Sequence, residues 1–203
     1  MTKVKICGMQ TIEDAQYAID AGADFIGFVL APSKRQLTID EMRGILEKLD
    51  TKNAGTVGVM VNPSREEAEE ALETGLDYIQ FHGDEAPAFV EDFKDHAIKA
   101  FPSNSELGNS EKFEYPSNFI LIDSPRKEYY GGSGSQFDWE AFDQEGLEPS
   151  RFALAGGLKP ENIGEAISIF KPALVDVSSG VESDGKKDPE KVSRFIKNVK
   201  EVS

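Results

Sequence analysis

Short β-branched or aromatic runs alternate with longer, helix-spaced segments along this chain, and that alternation limits the fold more than any other feature. The runs are Val4–Cys7, Phe25–Leu30, Thr56–Val61, Tyr78–His82, Ala97–Phe101, Phe119–Asp123, Arg151–Ala155 and Leu174–Ser178. Between them, Ile12, Ala15 and Ile19 fall on one face of a helix, and Ile39–Leu49, Arg65–Thr74, Ala86–Lys94, Trp139–Gln144, Pro160–Phe170 and Pro189–Val199 read similarly. Thr38 with Glu41 and Ser64 with Glu67 have capping-box spacing. Gly22 and Gly75 stand where C-cap glycines belong.

Strict βα alternation predicts parallel strands joined by right-handed crossovers. A doubly wound sheet and a (β/α)₈ barrel both satisfy it. Eight strands in 203 residues, about 25 per βα unit, favour a minimal TIM barrel. Glycine placement agrees. The first turn, Gly8-Met9-Gln10-Thr11, lacks a dinucleotide fingerprint. The glycine-rich turns instead follow strands seven and eight, where barrels commonly bind phosphate. With no linker-like segment, residues 1–203 read as a single domain. Residues 103–112 have poor helical periodicity, so a short or irregular fifth helix is expected.

Lys plus Arg number 22 against 37 Asp plus Glu, a formal net charge of −15. Nucleic acid and anionic membrane surfaces are therefore poor partners. An anionic small molecule would have to be held by local donors. No apolar run is long enough to span a bilayer, and the first residues lead straight into a strand. The single cysteine cannot form an intrachain disulfide, so a cytoplasmic location is expected.

Side chains alternate across a strand. If Cys7 points inward, Lys5 does too, while Val4 and Ile6 face the helices. The same parity turns Phe119, Leu121 and Asp123 inward, and puts Gln80, His82, Asp176 and Ser178 at the mouth. The residues alone leave each role open. Cys7 is either a packed hydrophobe or a proton-transfer group, Asp123 either a turn cap or an acid, and His82 either a structural hydrogen-bonder or a catalytic group. Gly156, Gly157, Ser178, Ser179 and Gly180 make either tight turns or a phosphate cradle of amides and hydroxyls. Lys34-Arg35 and Arg126-Lys127 supply cations near the mouth or lie on solvated loops. The glycine-rich stretch after Asp123, through Ser135, is either a lid or a plain loop.

Taken together, Lys5-Ile6-Cys7-Gly8, Gly27-Phe28-Val29 with Ser33-Lys34-Arg35, Val57-Gly58-Val59, Gln80-Phe81-His82-Gly83, Leu121-Ile122-Asp123, Gly131-Gly132-Ser133-Gly134 before Phe137-Asp138-Trp139, Ala155-Gly156-Gly157-Leu158-Lys159-Pro160-Glu161-Asn162 and Asp176-Val177-Ser178-Ser179-Gly180-Val181-Glu182 resemble the phosphoribosylanthranilate isomerase family of tryptophan biosynthesis over essentially the whole chain. Phe81 departs from the family's usual Leu, and residues 103–112 fit poorly. The resemblance implies an Amadori rearrangement of N-(5′-phosphoribosyl)anthranilate to 1-(2-carboxyphenylamino)-1-deoxyribulose 5-phosphate, with no cofactor and no metal. It implies Cys7 as general base, Asp123 as general acid, Arg35 on the substrate carboxylate, and Gly156, Gly157, Ser178, Ser179 and Gly180 on the phosphate. Lys5, His82 and Asp176 become supporting residues, with Lys5 expected to pair with Asp176 because strands one and eight adjoin in a closed barrel. Monomer and homodimer are both compatible. The competing readings are another phosphate-binding barrel enzyme and a non-catalytic ligand-binding barrel; the latter has no reason to carry both Cys7 and Asp123.

Overall fold

The computed structural model describes residues 1–125, 139 and 141–202. Eight parallel strands, β1 (Lys3–Cys7), β2 (Phe25–Val29), β3 (Gly55–Met60), β4 (Tyr78–Phe81), β5 (Ala97–Pro102), β6 (Phe119–Asp123), β7 (Phe152–Leu154) and β8 (Leu174–Val177), close a barrel in chain order. Its seam joins β1 to β8 with Lys5 opposite Asp176. Helices α1 (Ile12–Asp20), α2 (Ile39–Leu46), α3 (Arg65–Glu73), α4 (Pro87–Glu91), α5 (Asn109–Phe113), α6 (Ile163–Phe170) and α7 (Pro189–Val202) follow strands one to five, seven and eight. A two-stranded ribbon, β9 (Glu182–Ser183) with β10 (Lys186–Lys187), precedes α7.

Local chemistry sets these elements. Thr38 and Ser64 complete reciprocal capping boxes with Glu41 and Glu67, satisfying amides that the first turns of α2 and α3 leave without partners. The fifth helix is short, as expected, at five residues. The fourth is shorter than its periodicity predicts; it starts at Pro87 without a side-chain cap and gives way to a 3₁₀ turn over Lys94–His96.

The helix expected over Trp139–Gln144 does not form. Residues 141–144 are turn, bend and coil, and residue 140 lies outside the described residues. The carbonyls of Asp143 and Glu145 accept from Asn109 Nδ2 at 2.8 and 3.1 Å, and Asp143 Oδ1 accepts from the Glu145 amide. Asn109, the first residue of α5, thus ties residues 143–145 to that helix through their backbone carbonyls. Arg126-Lys127 and most of the expected lid fall within residues 126–138, also outside the described residues.

Alternation along the strands builds two cores. Val4, Ile6, Ile120 and Ile122 pack outward with the helices. Phe25, Val57, Ile98, Ala100, Leu121, Ala153, Ala155 and Leu174 fill the barrel, with Phe119 edge-on to Phe25 at 6.1 Å between ring centroids. Burying each large apolar side chain contributes roughly 1.5–3 kcal/mol. This packed plug closes the interior below the strands' carboxyl ends. What remains open is a mouth above it. No helix among the described residues is long and apolar enough to cross a membrane.

Candidate active site

A cavity of about 430 Å³ opens at the carboxyl ends of the strands. That is within the size range of small-molecule sites. Cys7 from β1, Gln80 and His82 from β4 and its loop, Asp123 from β6, and Asp176 and Ser178 from β8 and its loop all line it. So do Arg35, Gly156, Gly157, Ser179 and Gly180. Every side chain that the strand parity turned inward at a carboxyl end is therefore gathered here.

Lys5 lies one inward step below Cys7 and is fully buried. Its Nζ donates to Asp176 Oδ2 at 2.8 Å and to Gln80 Oε1 at 2.9 Å. The expected pairing of Lys5 with Asp176 is thus present. Burial works against the Lys5 charge, but Asp176 and Cys7 outweigh it and raise the lysine pKa, so it remains an ammonium. Burial also pushes the Cys7 thiol up, and the attraction of Lys5 and Lys187 for a thiolate offsets this only in part.

Asp123 has the opposite balance. Its burial favours the neutral acid, yet His82 and the Ser124 amide and hydroxyl hold its pKa below the usual value. Oδ1 accepts from Ser124 N at 2.7 Å and Oγ at 3.1 Å, and His82 Nε2 stands 3.3 Å from Oδ2. The other imidazole nitrogen, Nδ1, is 2.9 Å from Gln80 Nε2.

Backbone conformation brings the walls together. Gly8 has φ +82°, and a Cβ there would overlap Arg35 Cδ and press on Ser178 Oγ. Gly156 has φ +86°, and its missing Cβ makes room for the Ser124 backbone.

Arg35 reaches the cavity from the loop after β2, but its Nε and Nη2 donate to the two carboxylate oxygens of Glu182 at 2.6 and 2.8 Å. Lys187 Nζ donates to Glu182 Oε1 at 2.8 Å and to Ser178 O at 3.1 Å. Glu182 and Lys187 are site residues that the sequence reading gave no role. Asp184 and Gly185 both have positive φ in the two-residue turn joining β9 to β10. That Asp-Gly pair is the signal that could have shown Lys187 folding back over Ser178. Lys99 was also missed. A lone charge in an apolar strand, it is buried on the helix side and donates to Glu85, Phe81 O and Gly83 O, pinning the loop that carries His82.

Burial alone would raise the Glu182 pKa, but hydrogen bonds from Arg35 and Lys187 bring it from 4.5 to about 2. A depressed folded-state pKa stabilises the fold above the unfolded value, and that contribution is lost on acidification. Wild-type protein should therefore lose more thermal stability than Glu182→Gln between pH 4.5 and about 2. Melting curves across that window check this; parallel losses would remove Glu182 as a source of acid sensitivity.

The sequence profile described as N-(5'phosphoribosyl)anthranilate (PRA) isomerase matches residues 4–198. The chain belongs to the phosphoribosylanthranilate isomerase family. It is 44% identical over 200 residues to the N-(5'-phosphoribosyl)anthranilate isomerase of Listeria welshimeri, covering 98% of each chain. The crystal structure of the phosphoribosyl anthranilate isomerase from Thermus thermophilus superposes with a TM-score of 0.87 at 34% identity over all of both chains. Another isomerase structure, solved in complex with reduced 1-(o-carboxyphenylamino)-1-deoxyribulose 5-phosphate, matches with a TM-score of 0.76 at 34% identity, covering 99% of this chain and all of that one. Membership of the isomerase family agrees with a closed βα barrel whose polar groups converge on one mouth.

Proposed function

We propose that this chain carries out its family's isomerisation of phosphoribosylanthranilate with Cys7 as general base and Asp123 as general acid. The observation that carries this reading is the placement of both side chains on the wall of one cavity at the strands' carboxyl ends. The glycine turns after β7 and β8 border the same cavity. A phosphate on those turns would fix one end of the substrate. Backbone amides and the Ser178 and Ser179 hydroxyls would bind it, with the Lys187 charge nearby.

The chemistry assigns a task to each group. Asp123 protonates the furanose ring oxygen, and the C1–O bond breaks to leave an iminium between C1 and the anthranilate nitrogen. The Cys7 thiolate removes the C2 proton. The C–H electron pair forms a C1–C2 double bond as the iminium electrons return to nitrogen, and the resulting enolamine tautomerises to the ketone. The iminium itself is the electron sink, so the sequence needs only positioned proton transfers.

The resting pair is set the other way round. Burial favours the Cys7 thiol, and donors around Asp123 favour its carboxylate. Turnover therefore draws on a form in which a proton has moved from sulfur to the carboxylate, at no change in net charge. Iminium formation places a cation close to Cys7 and favours the thiolate when it is needed.

Arg35 would bind the anthranilate carboxylate. Glu182 holds the Nε–Nη2 edge of the guanidinium and fixes its plane. The rest of the fork carries further N–H donors for a carboxylate. In a chain of net charge −15, Lys5 is paired with Asp176, and Arg35 and Lys187 share Glu182, so local donors rather than a broad positive field would hold an anion. Arg35→Ala should raise KM by roughly tenfold or more, the cost of losing a charged hydrogen bond, with a smaller change in kcat. Initial rates across substrate concentrations check this, and an unchanged KM would take Arg35 off the carboxylate.

The whole assignment is tested by giving purified protein freshly prepared phosphoribosylanthranilate. The substrate's fluorescence should disappear and the isomeric ketose phosphate should appear in equal amount. Loss of substrate to free anthranilate alone would count against isomerisation.

A further inference from the structure

Gln80 is nearly fully buried in the barrel mouth, and its amide is bonded at both ends. One end faces Lys5 Nζ at 2.9 Å. An ammonium has only donors, so the amide oxygen must be at that end. The NH₂ end therefore faces His82 Nδ1 at 2.9 Å. Two N–H groups cannot share that contact, so Nδ1 must offer its lone pair. In a neutral imidazole, the proton then sits on Nε2, the nitrogen 3.3 Å from Asp123 Oδ2. A continuous set of side chains, Asp176–Lys5–Gln80–His82–Asp123, thereby spans the mouth from β8 to β6.

We propose that Gln80 is a positioning residue that locks His82 in its Nε2–H form, so that the imidazole can only donate to Asp123. Resting on the assignment of Asp123 as general acid, this gives His82 a definite task. The ring's one lone pair is held by Gln80 and turned away from Asp123. When Asp123 carries its proton, His82 cannot accept it, and the substrate's ring oxygen is the remaining acceptor. The imidazole also keeps Oδ2 oriented while Ser124 holds Oδ1. Lys5 sets the orientation of the amide and, through it, that of the ring. Lys5 also keeps its charge in this buried place.

The chain has two histidines, His82 and His96, which makes the test direct. ¹⁵N-histidine labelling of the resting enzyme, with His96→Gln to assign the signals, reads the tautomer without turnover. The result is therefore separate from whether Asp123 is the acid. The expected pattern is a pyrrole-type Nε2 and a pyridine-type Nδ1. A protonated Nδ1, in either the other tautomer or an imidazolium, overturns the proposal. In Gln80→Leu the lock is gone, so a mixture of tautomers should appear and kcat should fall about tenfold, with little change in affinity for reduced 1-(o-carboxyphenylamino)-1-deoxyribulose 5-phosphate, the reduced form of the product. Gln80→Glu replaces the donor with an acceptor and should move the proton to Nδ1. If Gln80→Leu keeps the wild-type tautomer and kcat, Gln80 does not position His82. If that variant does not fold, the wild-type spectrum and Gln80→Glu still decide.

Discussion

Cys7→Ala should lower kcat by roughly 10²–10⁴-fold, the usual contribution of a positioned general base, while the barrel stays folded. Removing one sulfur from the inner face of β1 costs on the order of 1 kcal/mol of burial, and Lys5, which interacts with it, keeps its hydrogen bonds to Asp176 and Gln80. The reduced product should bind Cys7→Ala with nearly wild-type affinity, because the proposed phosphate turns and the proposed carboxylate partner Arg35 are untouched. That separates loss of the base from loss of the site. The same thiol should alkylate slowly at neutral pH and faster only above its ordinary pKa of 9.0, since burial favours its protonated form. Rapid alkylation at neutral pH would mean that Lys5 and Lys187 outweigh burial, and a standing thiolate would replace the transient one.

Asp123→Asn is the second large effect, again roughly 10²–10⁴-fold in kcat. The amide has nearly the shape of the carboxylate but cannot give up a proton to the furanose oxygen. It also meets a ring of donors. Ser124 N and Oγ donate to one oxygen, and His82 Nε2 faces the other. An asparagine oxygen placed on Ser124 turns its own NH₂ toward His82, so two donors oppose each other. His82 must then shift its proton or its ring. The variant should keep the fold and product affinity, checked by its melting curve and by titration with the reduced product. Near-normal turnover would falsify the assignment of Asp123 as the acid.

Much of this was legible in the chain because side-chain direction in a strand follows from parity. Once Cys7 is placed inward on β1, Lys5 follows, and once Asp123 is placed inward on β6, Leu121 and Phe119 follow; the barrel seam puts Lys5 against Asp176. Caps at Thr38 and Ser64 were readable because each depends on residues three apart. What escaped depends on contacts between distant residues. Glu182 receives Arg35 from across the mouth, a partner 147 positions away in sequence. Asn109 holds the carbonyls of Asp143 and Glu145, 34 and 36 positions further along the chain. Lys99 breaks the apolar pattern of β5, but only the loop folded against it explains why that charge is buried. The orientation of Gln80 was equally out of reach, since it follows from a lysine on one side and a histidine on the other.

The central claim is that a thiol on β1 and a carboxylate on β6 move the protons of one isomerisation. Its most direct test is the initial rate of fluorescence loss from freshly made phosphoribosylanthranilate, with wild type, Cys7→Ala and Asp123→Asn measured side by side at equal, saturating substrate. The account predicts rapid loss with the wild type and, for each variant, a rate lower by roughly 10²-fold or more. A wild type that leaves the substrate unchanged, or a variant turning over within a few-fold of it, would contradict the account.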